Sequence, residues 1–152
     1  MTKMLPAEVP EGTTASESEV FRLIRDAGGS EQFICLHSLG IARHSRKEYS
    51  EADFILIGPA GVFCLEVKGG EVRREDGIWR IGWPTKSYTS VEGPFKQAEG
   101  ARWALIDYLR ERVGPSLRDI LFGWGVVFPD ICFDATSPEW DNQVVFDQRD
   151  KA

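Results

Sequence analysis

Apolar residues recur at the spacing of an amphipathic α-helix in two stretches of the chain. The first helix is predicted to begin at an N-cap on Ser16 and to end before the glycine pair at Gly28. The second is predicted to begin at Pro94, a residue suited to the first turn of a helix, and to end near Arg112. Each helix has one apolar side, so both are expected to pack on a sheet.

Two nearly continuous apolar runs, at 52–57 and 61–67, indicate β-strands separated by the turn sequence Gly58-Pro59-Ala60. So tight a turn predicts that the strands are adjacent and antiparallel, and the lack of polar alternation predicts burial on both faces. The other predicted elements are a strand at 32–39, a small hairpin over 71–81 around Asp76-Gly77, a strand at 120–128, and loops at 40–50 and 82–93.

The order of the main elements, α-β-β-β-α-β, predicts a small α/β fold in which helices flank a central mixed β-sheet. The 152 residues suit one domain with a single core. We divide the chain into an extended leader at 1–14, a domain at 15–130 and an acidic C-terminal extension at 131–152.

Composition excludes several classes of protein. With 42% hydrophobic and 28% charged residues, the chain is typical of a globular protein and not of a disordered one. Three cysteines and two histidines predict neither a disulfide framework nor a structural zinc site. The longest uncharged apolar stretch, 54–65, falls well short of the roughly 20 residues that span a bilayer. Since a signal-peptide pattern is also missing, we expect a cytoplasmic location and no membrane partner.

The net charge of −6 does not exclude nucleic acid as a partner, because phosphate contact depends on local basic patches. One candidate patch contains Arg43, Arg46 and Lys47, and another contains Arg73 and Arg74. The alternative for each patch is a set of solvated loop charges.

A charged pair interrupts the second apolar run, where Glu66 and Lys68 share one face of the predicted strand. Asp53 stands near the start of the neighbouring run, so the tight turn is expected to bring Asp53 and Glu66 together. Like charges about 4 Å apart repel by roughly 4 kcal/mol at an effective dielectric constant of about 20, and a bound Mg²⁺ or Mn²⁺ would offset this cost. Lys68 would then orient an attacking water. The alternative is an ordinary Glu–Lys ion pair, with Asp53 capping a loop.

Two further polar residues occupy positions that should face the core. Glu17 falls within the apolar stripe of the first helix, beside Val20 and Phe21, and a buried carboxylate needs a partner. It could reach the metal directly or through water, or it could be a first-turn charge favoured by the helix dipole. Gln97 shares the apolar stripe of the second helix and could bind a metal-bound water or a phosphate, or form a local bond near the helix N-terminus.

Together, Glu17, Asp53, Glu66, Lys68 and Gln97 form an ordered set that resembles the nuclease-related domain (NERD), a branch of the PD-(D/E)XK nuclease superfamily. The likeness covers about 15–130. The stretches that carry it are Ser16-Glu17, Glu51-Ala52-Asp53-Phe54, Leu65-Glu66-Val67-Lys68-Gly69-Gly70, Pro94-Phe95-Lys96-Gln97-Ala98 and, more weakly, Phe128-Pro129-Asp130.

The resemblance implies a restriction-endonuclease-like core and hydrolysis of phosphodiester bonds with Mg²⁺ or Mn²⁺, in DNA more than in RNA. The implied metal ligands are Asp53, Glu66, the Val67 carbonyl and Glu17. Lys68 and Gln97 would complete the catalytic residues. The two basic patches would contact the nucleic-acid backbone, which predicts activity that falls steeply with salt.

Family members similar to this chain often precede a superfamily-one helicase, and residues 144–150 resemble the approach to such a module. The chain has no phosphate-binding loop of its own. The alternative function is therefore a non-catalytic module that binds nucleic acid or docks a partner beside a helicase. The sequence leaves open the strandedness of the substrate, endonuclease or exonuclease action, the number of metals and the oligomeric state.

Overall fold

The computed structural model describes residues 1–42 and 49–151, and nine β-strands and two α-helices lie within these ranges. They are β1 (Lys3–Leu5), α1 (Ala15–Asp26), β2 (Ile34–Ala42), β3 (Tyr49–Gly58), β4 (Gly61–Val67), β5 (Glu71–Glu75), β6 (Ile78–Trp83), β7 (Lys86–Ser90), α2 (Pro94–Val113), β8 (Phe122–Phe128) and β9 (Val145–Asp147). Neither helix in these ranges combines the length and apolar character that a membrane span requires.

The central sheet has six strands in the order β1-β2-β3-β4-β8-β9. Strands β2, β3 and β4 pair antiparallel, whereas β1, β8 and β9 each pair parallel with a neighbour. A second, antiparallel sheet contains β5, β6 and β7. The predicted α/β class with a central mixed sheet and flanking helices is confirmed, and the arrangement is restriction-endonuclease-like.

The two helices cover opposite faces of the central sheet. On one face, α2 places Ala101 against Ile55 and Cys64. On the other face, α1 places Phe21 beside Phe54, and both rings are fully buried. Each buried ring contributes about 2–3 kcal/mol. Because the neighbours Phe54 and Ile55 point to opposite faces, β3 is buried on both sides, as its unbroken apolar run predicts.

The first helix starts earlier than the sequence predicted. Thr14 is the N-cap, and its side-chain hydroxyl accepts a 3.2 Å hydrogen bond from the backbone N–H of Glu17. The predicted N-cap, Ser16, instead donates its hydroxyl to Oδ2 of Asp130 at 2.8 Å. The prediction of Ser16 was wrong because this serine is taken up by a contact with a distant segment, and a neighbouring threonine offers the same capping chemistry.

The small hairpin predicted around Asp76-Gly77 is present as β5 and β6. Asp76 and Gly77 have φ values of 51° and 75°, as a two-residue turn between twisted strands requires. The loop predicted at 82–93 is wrong in part, because Lys86–Ser90 forms β7 and pairs with β6. All of β7 is exposed or partly buried, so it carries no apolar pattern that would have revealed it.

Both edges of the central sheet come from segments outside the predicted domain at 15–130. Lys3–Leu5 pairs with β2, and Val145–Asp147 pairs with β8. The predicted loop at 40–50 also shortens, since β2 reaches Ala42 and β3 begins at Tyr49. These short pairings depend on a partner strand that is distant in sequence, so the local pattern could not indicate them.

Candidate active site

Asp53 and Glu66 lie together at one end of β3 and β4. The strand register pairs Phe54 with Leu65, so Asp53 and Glu66 each stand one position further toward the same end. The backbone N–H of Val67 donates a 2.8 Å hydrogen bond to Oδ2 of Asp53, which ties the carboxylate to the neighbouring strand. The tight turn and the antiparallel pairing therefore produce the juxtaposition that the sequence predicted.

Negative charge exceeds positive charge at this strand end. Glu66 is buried, at 7% exposure, and its Oε1 lies 2.8 Å from Nζ of Lys68. Burial and, after it, the adjacent Glu66 carboxylate raise the pKa of Asp53 to about 7, although the hydrogen bond from Val67 opposes the shift. Burial also raises the pKa of Glu66, although Lys68 opposes the shift. Two desolvated carboxylates thus share one ammonium group, a charge pattern that favours a cation.

Lys68 has a second partner that the sequence did not indicate. The Tyr88 side chain, from β7, raises the pKa of Lys68 in addition to the ion pair with Glu66. Burial lowers the pKa of Lys68, but Glu66 and Tyr88 outweigh burial and the net shift of this pKa is upward. Lys68 therefore stays charged beside these two side chains.

Glu17 reaches the same end of the sheet from the face covered by α1. Its Oε2 lies 3.1 Å from Nε2 of His37, whose side chain is 1% exposed. The imidazole stacks on Phe54, with ring centroids 4.7 Å apart. Glu17 also contributes to the raised pKa of both Asp53 and Glu66, so its negative charge acts on the same site. The sequence reasoning placed Glu17 on a core-facing position but missed His37, whose signal was a histidine inside the strand run at 32–39.

Gln97 lies in the first turn of α2 and is partly buried. Its backbone N–H donates to the carbonyl of Gly93 at 3.1 Å. Its side-chain Oε1 is buried and accepts no hydrogen bond. A buried acceptor without a donor costs about 1–3 kcal/mol, so this amide is suited to receive a hydrogen bond from a bound water or ligand. The alternative prediction, a local side-chain bond at the helix N-terminus, does not provide a hydrogen-bond donor for this oxygen.

The segment after Lys68 is fixed by Asp130. Oδ2 of Asp130 accepts hydrogen bonds from the Ser16 hydroxyl at 2.8 Å and from the backbone N–H of Gly70 at 2.7 Å. Ser16 can approach this segment only because residue 69 is a glycine: a Cβ on Gly69 would lie 2.1 Å from the Ser16 hydroxyl oxygen. One carboxylate thereby joins the start of α1, the end of β8 and the chain that leaves Lys68. The sequence offered Asp130 only as a weak part of the family resemblance.

The predicted basic contacts divide into two groups. Arg43, Arg46 and Lys47 lie outside the described residues. Arg73 is exposed and lies 3.8 Å from Glu75. Arg74 pairs with Glu139 at 3.0 Å and sits over the Trp79 ring at 5.5 Å, so its guanidinium is engaged in packing within the protein.

The residues at this strand end fit a hard divalent cation. Across residues 1–42 and 49–151, no three histidine, cysteine, aspartate or glutamate side chains are grouped as a complete metal site. Mg²⁺ needs fewer protein ligands, because it retains several waters and binds through one or two carboxylates. The excess negative charge of Asp53 and Glu66 and the unsatisfied Oε1 of Gln97 both suit a cation with its waters.

Comparison with known protein families identifies the class of this domain. The model of the nuclease-related domain family matches residues 13–129, a range that contains Glu17, Asp53, Glu66, Lys68 and Gln97. The chain belongs to the nuclease-related domain family. Searches of curated proteins and of solved structures found no match.

Proposed function

We propose that this domain is a Mg²⁺- or Mn²⁺-dependent nuclease that hydrolyses phosphodiester bonds, in DNA in preference to RNA. The observation that carries the proposal is the pair of desolvated carboxylates, Asp53 and Glu66, beside the single charged Lys68. Membership of a nuclease-related family supports the interpretation of these charged side chains as a nuclease active site.

Each side chain has a distinct role in the proposed reaction. Asp53 and Glu66 would hold the cation, with the Val67 carbonyl as a third protein ligand. When bound, the cation would supply Lewis-acid stabilisation of the phosphate oxygens. Lys68, held by Glu66 and influenced by Tyr88, would orient the attacking water and balance the negative charge on the phosphoryl oxygens.

Glu17 and Gln97 complete the proposed site. Glu17, oriented by His37, would bind a second cation or a water in the cation's hydration shell. Gln97 would accept a hydrogen bond from such a water through its unsatisfied Oε1. A neutral amide is suited to this position because it adds no charge to a site that already has excess negative charge.

The test is cleavage of plasmid and oligonucleotide DNA in Mg²⁺ or Mn²⁺ and in EDTA. We expect wild-type cleavage that EDTA abolishes, and a loss of at least about 100-fold in Asp53→Asn, Glu66→Gln and Lys68→Met. Asp26→Asn is the matched control, because Asp26 is an exposed carboxylate paired with Arg25 on α1.

Two results would contradict the proposal. Cleavage that persists unchanged in all three variants would identify a contaminant or another site. DNA binding without any metal-dependent cleavage by the wild type would instead support the non-catalytic binding module.

A further inference from the structure

The two most exposed aromatic side chains of the described residues belong to one hairpin. Trp83 on β6 and Tyr88 on β7 are each 51% exposed. Trp103 follows at 46%, on α2. Leaving two large rings half in water forgoes burial worth about 1–2 kcal/mol for each ring, so a partner that covers both would recover this energy.

The register places both rings on one side of the hairpin. Ile81 pairs with Tyr88, and Trp83 lies two residues beyond Ile81, opposite Lys86. Residues two apart on a strand share a face, so Trp83 and Tyr88 are diagonal neighbours. Ile81, on the same face, is 3% exposed and belongs to the core. Trp83 and Tyr88 therefore lie on the same face as the buried Ile81 but outside the core. The exposed Lys86 lies beside them.

Backbone contacts hold this hairpin against the candidate active site. Gly70, two residues after Lys68, adopts a φ of 79°, and a Cβ there would lie 2.6 Å from the carbonyl carbon of Gly82. The chain that leaves the catalytic lysine therefore touches the residue immediately before Trp83. The Tyr88 side chain also lies near enough to Lys68 to raise the pKa of the lysine. The close approach of Gly70 to Gly82 thus fixes the aromatic pair relative to Lys68.

Aromatic rings flanked by a cation are suited to unpaired nucleobases. Bases in a duplex cover one another's faces, whereas bases of a single strand can stack on protein rings while a lysine contacts the backbone phosphate. We propose that Trp83 and Tyr88, defined here as the aromatic platform, stack the unpaired bases of a single-stranded DNA segment beside the scissile phosphate. The position of that phosphate rests on the proposed nuclease function; the stacking itself does not.

The test measures binding separately from cleavage. A fluorescently labelled oligothymidine of about 12 nucleotides is titrated, in EDTA, against Asp53→Asn protein, which cannot cut and has a smaller negative charge at the site. In this background we expect Trp83→Ala and Tyr88→Ala each to weaken binding by about 5- to 100-fold, and oligothymidine to quench tryptophan fluorescence. Trp83→Phe and Tyr88→Phe, which retain a flat ring, should each keep most of the affinity.

Trp103→Ala is the matched control, because Trp103 is almost as exposed as the two platform rings. It lies on α2 near Leu121, which precedes β8, whereas Lys68 lies by the other end of β8. It should bind oligothymidine like the parent protein. The proposal is overturned if Trp83→Ala and Tyr88→Ala both bind as the parent does, or if a duplex of equal length competes as well as the single strand. Tight single-strand binding by a wild type that never cleaves would refute the nuclease proposal and leave the aromatic platform standing.

Circular dichroism and thermal unfolding of each variant establish that the fold is retained. The buried half of each ring is worth about 1–2 kcal/mol, so each alanine variant should unfold a few degrees below the parent but keep the parent's circular dichroism spectrum.

Discussion

The backbone N–H of Val67 donates to Oδ2 of Asp53 at 2.8 Å, and this bond places Asp53 beside Glu66. A backbone hydrogen bond thus holds Asp53 close to Glu66 in a position where both carboxylates are shielded from water. Folding alone gains nothing from such proximity, because like charges repel more strongly out of water. The proposed cation would offset this repulsion, which leads to the first prediction.

In EDTA at about pH 8, above the Asp53 pKa of about 7, we expect Asp53→Asn to be more stable than the wild type by about 1 kcal/mol or more, because it removes one of two adjacent negative charges. Asparagine keeps an oxygen that can accept the Val67 hydrogen bond. Added Mn²⁺ should raise the unfolding temperature of the wild type and of the Asp26→Asn control but not that of Asp53→Asn. Calorimetric unfolding with and without metal measures this. An equal Mn²⁺ shift in Asp53→Asn would contradict metal binding at this carboxylate.

Glu66 and Lys68 should be strongly coupled in stability. Lys68→Met leaves the Glu66 carboxylate buried without its 2.8 Å partner, and we expect it to lower the free energy of unfolding by about 3 kcal/mol. Adding Glu66→Gln to this variant should restore part of that loss, because the unpaired charge is removed. Denaturant unfolding of the two single variants and the double variant gives the coupling free energy. If the changes in the free energy of unfolding of the two single variants add up to that of the double variant, Glu66 and Lys68 do not stabilise the fold through their ion pair.

His37 should act on cleavage through Glu17. His37→Phe keeps a flat ring against Phe54 but removes the 3.1 Å contact with Oε2 of Glu17. We expect the cleavage rate to fall by about 10- to 100-fold, with a higher Mn²⁺ concentration needed for half-maximal rate. The measurement is a Mn²⁺ titration of the cleavage rate, compared with Glu17→Gln. If His37→Phe cleaves with an unchanged Mn²⁺ requirement, the contact serves only the packing of α1.

Asp147 provides the clearest dependence of stability on pH. Arg149, together with the backbone N–H groups of Phe133 and Arg149, lowers the pKa of Asp147 to about 2, against the effect of burial. Because this pKa is lower in the folded state, the stabilisation is complete above pH 4 and is lost as the pH falls through about 2. Asp147→Asn should therefore cost about 2 kcal/mol at pH 7, and the difference from wild type should shrink between about pH 4 and pH 2.

The control for this prediction is Asp134→Asn. Asp134 pairs with the same Arg149 at 2.9 Å, but its side chain is 76% exposed, so its removal should cost less than about 1 kcal/mol. Urea unfolding at several pH values measures both variants. If Asp147→Asn lowers the free energy of unfolding by the same amount at pH 2 as at pH 7, the charge of Asp147 is not what stabilises the fold.

Local signals were sufficient for several elements. Pro94 and the glycine after Val113 delimit α2, and Asp76-Gly77 forms the predicted hairpin turn. By contrast, β7 and β9 have no distinctive pattern, because a short exposed or edge strand is held mainly by hydrogen bonds to the strand beside it. Their existence depends on partners that are already in place.

The sequence by itself determined the pairing of β3 with β4, and hence that Asp53 and Glu66 meet, because a tight turn between two apolar runs leaves one register that buries both. Only the tertiary structure decided that His37 orients Glu17, 20 positions earlier in the chain, and that Asp130 ties down Ser16 across 114 positions. The proximity of Tyr88 to Lys68 is of the same kind. Such contacts link separate elements, and no periodicity within one element records which side chain of another will lie against it.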